Sequence, residues 1–184
     1  MAQLRTRLAV AAVALATITT GALAGPASAE AVTIVDGPDA SGSLGDILDV
    51  RINHAARRVI VKTELADLRA SSEGGPSGLN IWLDTDPSTT GPDFVFRTGL
   101  QAGQDFTLQR TNRFKPIGEP LTCDHRVRFD RAADIVRLSV ARPCLGRPEK
   151  VRIAERMRDD FDGSHPIIDW LKRTRHLTRW VAHN

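Results

Sequence analysis

Apolar residues in this chain recur at every second position, in short runs separated by Gly, Pro and Asp. A period of two puts alternate side chains on opposite faces of an extended strand, and it cannot form the stripe that buries a helix. The first clear hairpin runs from Ile47 to Ile52 and returns from Val59 to Leu65. Val50 and Ile52 face Val59 and Val61, and residues 53–57 turn the chain. Val32 and Ile34 start an earlier strand. Leu79, Ile81 and Leu83 share one face of a later strand, with Trp82 on the other. Residues 94–98 and 106–110 form further strands, and residues 111–121, with two prolines, are irregular. After residue 146, Val151 and Ile153 begin a strand, with a short helix from Ile153 as the alternative, and apolar patches follow at 167–170 and 177–181. Eight to ten short strands in this order predict an all-β chain. Its architecture is a two-sheet antiparallel β-sandwich, with an open barrel or jelly roll as the near alternative.

Residues 126–129 and 135–141 make a second hairpin that resembles the first. Val50-Arg-Ile-Asn-x-Ala-Ala-x-x-Val59 matches Val127-Arg-Phe-Asp-x-Ala-Ala-x-x-Val136. One turn solution used twice accounts for the match, and internal duplication is the alternative. If Phe129 faces Leu138 and Val127 faces Val140, then Cys123 faces Cys144 at the open end. An even number of cysteines in an exported chain also favours a disulfide.

Export is read from the first residues. Arg5 and Arg7 precede an apolar run from Leu8 to Leu23, and the segment ends Ala27-Ser28-Ala29. This is the order of a secretory signal peptide over residues 1–29, cleaved before Glu30. The run is shorter than the ~20 residues of a spanning helix. No lipidation cysteine or twin-arginine pair accompanies it, so the expected product is secreted and carries no membrane anchor. Residues 30–184 then form one domain. Without the two arginines of the first 29 residues, 23 basic residues face 22 acidic ones. That balance argues against nucleic acid as the partner.

Three features invite chemistry. Asp84, Asp86 and Asp93 flank a loop and offer the hard oxygens that Ca²⁺ takes, although the spacing is not that of an EF-hand and turn formation uses the same residues. Asp160 and Asp162 form a second acidic cluster beside an Asp-Gly turn. Trp82 offers a ring for stacking on a sugar or peptide, against a packing role in the core. Cys123, Asp124 and His125 are adjacent, but the disulfide reading uses the thiol. The five histidines lack zinc-helix spacing, and neither a nucleophile elbow nor a phosphate loop occurs. No catalytic motif is found.

The run Gly45-Asp-Ile47, Asp49-Val-Arg-Ile52, Arg58-Val-Ile-Val61, Leu65-Ala-Asp-Leu68 and Ile81-Trp-Leu-Asp-Thr-Asp-Pro87 resembles small secreted proteins of actinobacteria. Over residues 44–140 the layout is also distantly similar to family-9 carbohydrate-binding and DOMON-type β-sandwiches. That resemblance implies a sandwich fold and glycan binding through Trp82. It supplies neither a pair of clamping aromatics nor haem ligands. The expected function is a non-enzymatic binding or surface-associated module, with cell-wall glycan, Ca²⁺ or an extracellular protein as its ligand. A small extracellular hydrolase and a secreted protease inhibitor are the alternatives.

Overall fold

The computed structural model describes residues 31–40, 42–72, 74–160 and 165–183. The expected signal segment and Asp162 lie outside the described residues. The strands are β1 (Ala31–Val35), β2 (Ile47–His54), β3 (Arg58–Leu65), β4 (Ser77–Asp84), β5 (Phe94–Gly99), β6 (Phe106–Asn112), β7 (Lys115–Ile117), β8 (His125–Asp130), β9 (Ile135–Ala141), β10 (Lys150–Asp159), β11 (Ile167–Trp170) and β12 (Val181–Ala182). The first sheet has the order β1-β2-β3-β9-β8. The second has the order β11-β10-β4-β5-β6-β7, with β12 paired to the start of β10. The pairings are antiparallel. The chain is a β-sandwich with one disulfide, as the alternation and the cysteine count predict.

The two sheets bury their inner faces against each other. Val50, Ile52, Val59, Val61, Val136, Leu138 and Val140 of the first sheet share one core with Leu79, Ile81, Leu83, Phe96, Leu108, Ile153 and Met157 of the second. Each such side chain contributes about 1.5–3 kcal/mol when fully buried. No helix among the described residues is long and apolar enough to cross a membrane.

Four local expectations change. The segment from Val151 is strand throughout, and β10 continues through Met157 to Asp159 without a helix. The irregular 111–121 stretch contains β7. His54 is not in the turn but ends β2, fully buried, with Val181 O 3.2 Å from its Nδ1. The second hairpin pairs Phe129 with Val136 and Val127 with Leu138, two residues away from the expected register. A two-residue slip leaves every side chain on its own face, so apolar alternation cannot tell the two registers apart. The disulfide forms all the same, because both cysteines lie beyond the ladder. Cys123 precedes β8, and Cys144 sits in a 3₁₀ turn at Arg142–Leu145, where Pro143 cannot donate to a ladder. Gly146, at φ 78°, closes that turn. The cysteine Cα atoms are 5.7 Å apart.

The two similar hairpins lie side by side in the first sheet. Strand β3 pairs with β9, and Val61 faces Leu138, its counterpart in the sequence match. The central pair is thus related by a local two-fold axis. The outer strands depart from it, because Ile52 faces Val61 in the first hairpin whereas Phe129, the counterpart of Ile52, faces Val136 in the second.

Candidate functional site

The predicted acidic loop is built from turn hydrogen bonds. The Thr85 and Asp86 N–H groups donate to Asp93 Oδ2 at 2.8 and 3.1 Å, and the Thr85 hydroxyl does so at 2.7 Å. The Thr89 hydroxyl donates to Asp93 Oδ1 at 3.0 Å. Asp86 Oδ1 accepts from the Ser88 hydroxyl and N–H, and these bonds hold its carboxyl below the usual carboxylate range. Asp84 ends β4 and pairs through Oδ2 with Arg152 at 2.7 Å. Burial pushes its carboxyl up despite that partner. Protein donors and Arg152 thus engage all three predicted ligands, with Asp84 Oδ1 buried and without a partner among the described residues. Asp160, the described member of the second acidic cluster, pairs with Arg158 at 2.6 Å.

Trp82 points away from the inter-sheet core, yet it is only 4% exposed. A second, smaller apolar cluster covers it on the outer face of the second sheet. Trp170 stacks on its ring at a centroid distance of 5.2 Å, and Phe114 tilts against it at 5.4 Å. The indole N–H donates to Phe114 O at 3.1 Å. The Arg156 guanidinium lies 5.5 Å from the Trp82 ring centre and 5.6 Å from that of Trp170. Trp82 is therefore a packing residue of this outer cluster, with its polar group already satisfied.

The outer face of the first sheet carries the feature that the loops lack. Register places Arg51 opposite Lys62, Lys62 opposite Arg137, and Arg137 opposite Arg128. Four cationic side chains thus form one row across β2, β3, β9 and β8, on strands about 4.8 Å apart. Like charges directly opposite each other destabilise a sheet. None of the four side chains has a hydrogen-bond or ion-pair partner among the described residues, and Arg51, Arg128 and Arg137 are exposed. The next row along the same face carries Asp49, Glu64 and Asp130, about 7 Å away along the strands, with Ile135 in the β9 position.

On the other side of the cationic row, Arg58 and Arg126 join Arg128 and Arg137 to line a shallow cleft with Ile60 and Ser139. Asp124 binds Arg58 and reaches Arg126 at 3.4 Å, so the cations of the cleft that remain without a partner are Arg128 and Arg137. Guanidinium groups held this way present forked donors to a carboxylate, phosphate or sulfate. The signal in the sequence was the hairpin match itself. It sets Arg51 and Arg128 at equivalent, outward-facing positions, but only the pairing of β3 with β9 completes the row.

The inward-facing acids behave differently. Glu155 points inward from β10, is 0% exposed, and accepts from the Thr63 hydroxyl at 2.6 Å across the sandwich. Its Oε2 has no partner, and burial pushes its pKa up to about 8. Toward the β1 and β11 edges, Asp36, Asp39 and Asp169 bring one carboxylate oxygen each to within 4.8 Å of one another. Burial raises Asp169 to about 6, and it also raises Asp36. Glu155 is sealed from solvent, which removes it as a group that could meet a substrate. Compared with protein families, with characterised proteins and with solved structures, the chain matches none.

Proposed function

We propose that the protein is a secreted, non-catalytic binding module that holds an acidic glycan on the outer face of its first sheet. The observation that carries this reading is the facing pair Arg128 and Arg137, exposed in an arginine-lined cleft with no acidic partner among the described residues. A chain of acidic sugars repeats its charge on a length scale comparable to the strand spacing. The polymer can therefore anchor on Arg128 and Arg137 and continue along the row toward Lys62 and Arg51. A direct bond to a guanidinium outweighs screened repulsion from the acidic row about 7 Å away. The disulfide supports an oxidising compartment, and the signal-like first residues support export. The resemblance to carbohydrate-binding sandwiches supports a glycan, but the proposed face is the arginine row and not Trp82.

Affinity electrophoresis through polygalacturonate, with neutral dextran as the control, tests the proposal. Retention by the acidic polymer should fall as salt rises, because exposed charges are screened over about 8–10 Å. A double variant, Arg128→Ser with Arg137→Ser, should bind at least about tenfold more weakly, since each charge-assisted hydrogen bond contributes about 1.5–3 kcal/mol. Its melting temperature should stay at or above that of the native protein, because repulsion across β8 and β9 is relieved. Equal retention of variant and native protein would remove this face from the account.

A further inference from the structure

The mouth of the sandwich between β1 and β11 holds carboxylates that protein donors satisfy only in part. Asp36 follows β1 of the first sheet, and its Oδ1 accepts from the Lys172 N–H at 2.9 Å, just beyond β11 of the second. Asp169 on β11 returns the contact: its Oδ2 accepts from the Ile47 N–H at 2.7 Å, at the start of β2. The two aspartates therefore clasp the sheets reciprocally, each fixed through one oxygen. Gly37, at φ 85°, bends the chain after Asp36 so that Asp39 returns to the same place. A few residues on, the Ala40 N–H donates to Asp46 Oδ1 at 3.0 Å and holds that loop down.

The second observation is an orphan. The Asp36 side chain is 2% exposed, and its Oδ2 has no hydrogen-bond partner among the described residues. A buried carboxylate oxygen without a donor costs free energy unless something positive reaches it. The Lys172 ammonium pairs at 3.8 Å with the other oxygen, Oδ1, from a half-exposed side chain and does not reach Oδ2.

We infer that Asp36, Asp39 and Asp169 form a Ca²⁺ site that joins the two sheets at this edge. Ca²⁺ binds oxygens at about 2.3–2.6 Å, so ligands on opposite sides of the ion stand about 5 Å apart. Three oxygens within 4.8 Å of one another fit that shell. Asp39 is exposed, which gives the ion a way in, and water completes the coordination. This site is separate from the arginine face, so the two proposals stand or fall independently.

The test is calorimetric titration of the purified, oxidised protein with Ca²⁺ in chelator-treated buffer near neutral pH, with thermal melts alongside. Asp39→Asn is the probe, because an exposed rim residue can change without unfolding the chain. Asp86→Asn is the control in the other acidic loop. Native protein and Asp86→Asn should bind one Ca²⁺ and melt about 5 °C or more higher at a hundredfold excess over the dissociation constant. Asp39→Asn should bind at least about tenfold more weakly and lose most of that rise. No binding by the native protein, or a rise that Asp39→Asn retains in full, overturns the assignment.

Discussion

Glu155 should make the folded protein less stable as pH rises, and replacing it with glutamine should remove that dependence. The side chain is sealed between the sheets, and its pKa stands at about 8 against 4.5 for a free glutamate. Below the free value both folded and unfolded chains carry the proton, and its stabilising contribution is complete. As pH rises above that value the unfolded chain gives up its proton while the folded chain keeps it. Stability then falls by about 1.4 kcal/mol per pH unit until the folded group itself ionises near 8. The full change is about 5 kcal/mol, a large part of the roughly 5–15 kcal/mol that holds a typical domain together. Glu155→Gln keeps the acceptor for the Thr63 hydroxyl and places a neutral amide where the unpartnered oxygen was. At about pH 5 the variant should lie within about 1–3 kcal/mol of the native protein, the usual cost of one unsatisfied buried group. At about pH 9 it should be the more stable of the two. Urea unfolding followed by tryptophan fluorescence, at fixed ionic strength with EDTA and the disulfide intact, measures both curves. Asp169 and Asp36 are raised as well and contribute the same slope to both proteins. Parallel curves across this range would refute the reasoning, because they would mean that Glu155 ionises alike in both states.

Replacing both Cys123 and Cys144 with serine should cost about 3 kcal/mol, measured by denaturant unfolding, since the bridge closes a loop across a sequence separation of 21 residues. Trp82→Ala should cost about 3–5 kcal/mol by opening the cluster it shares with Trp170 and Phe114, and a loss below about 1 kcal/mol would show that the cluster is not packed as described. Asp93→Ala removes the acceptor that ties together Thr85, Asp86 and Thr89, and should lower stability by about 1–3 kcal/mol in a thermal melt while leaving the response to Ca²⁺ intact.

Strand identity was legible because period-two alternation is a direct record of which face is buried. Residues 47–52 and 59–65 mark β2 and β3 almost to their ends, and 135–141 marks β9. Register was not legible in the second hairpin, where a shift of two residues keeps every apolar side chain on the inner face. Trp82 shows a second limit. Its place opposite Leu79, Ile81 and Leu83 was readable, but its burial depends on Phe114 and Trp170, which arrive from the turn before β7 and from β11. The acidic mouth was hidden for the same reason. Asp36 and Asp169 lie near opposite ends of the domain in sequence, and only the adjacency of the β1 and β11 edges unites them.

The near balance of basic and acidic residues conceals how the fold sorts them. Exposed charges act on a ligand over about a Debye length, roughly 8–10 Å, and not over a whole domain. Within that range of Arg128 lie Arg137 directly across and Arg126 two residues along the strand, the latter partly offset by Asp124, against Asp130 two residues the other way. At the β2 end the balance is closer, because Asp49 and Glu64 stand beside Arg51 and Lys62. The cationic field is therefore concentrated at the β8–β9 end, where the cleft lies. Other acids contribute little to it: Glu155 is turned inward, and Asp36 and Asp169 are gathered at the sandwich edge. Glu155 moreover keeps its proton to about pH 8, so it adds no negative field near neutral pH. Net charge excludes a strongly basic protein, but it leaves open a strongly basic face. Strand register is what separates those two cases here, because it sets Arg137 against Arg128 and leaves the acids in a row of their own.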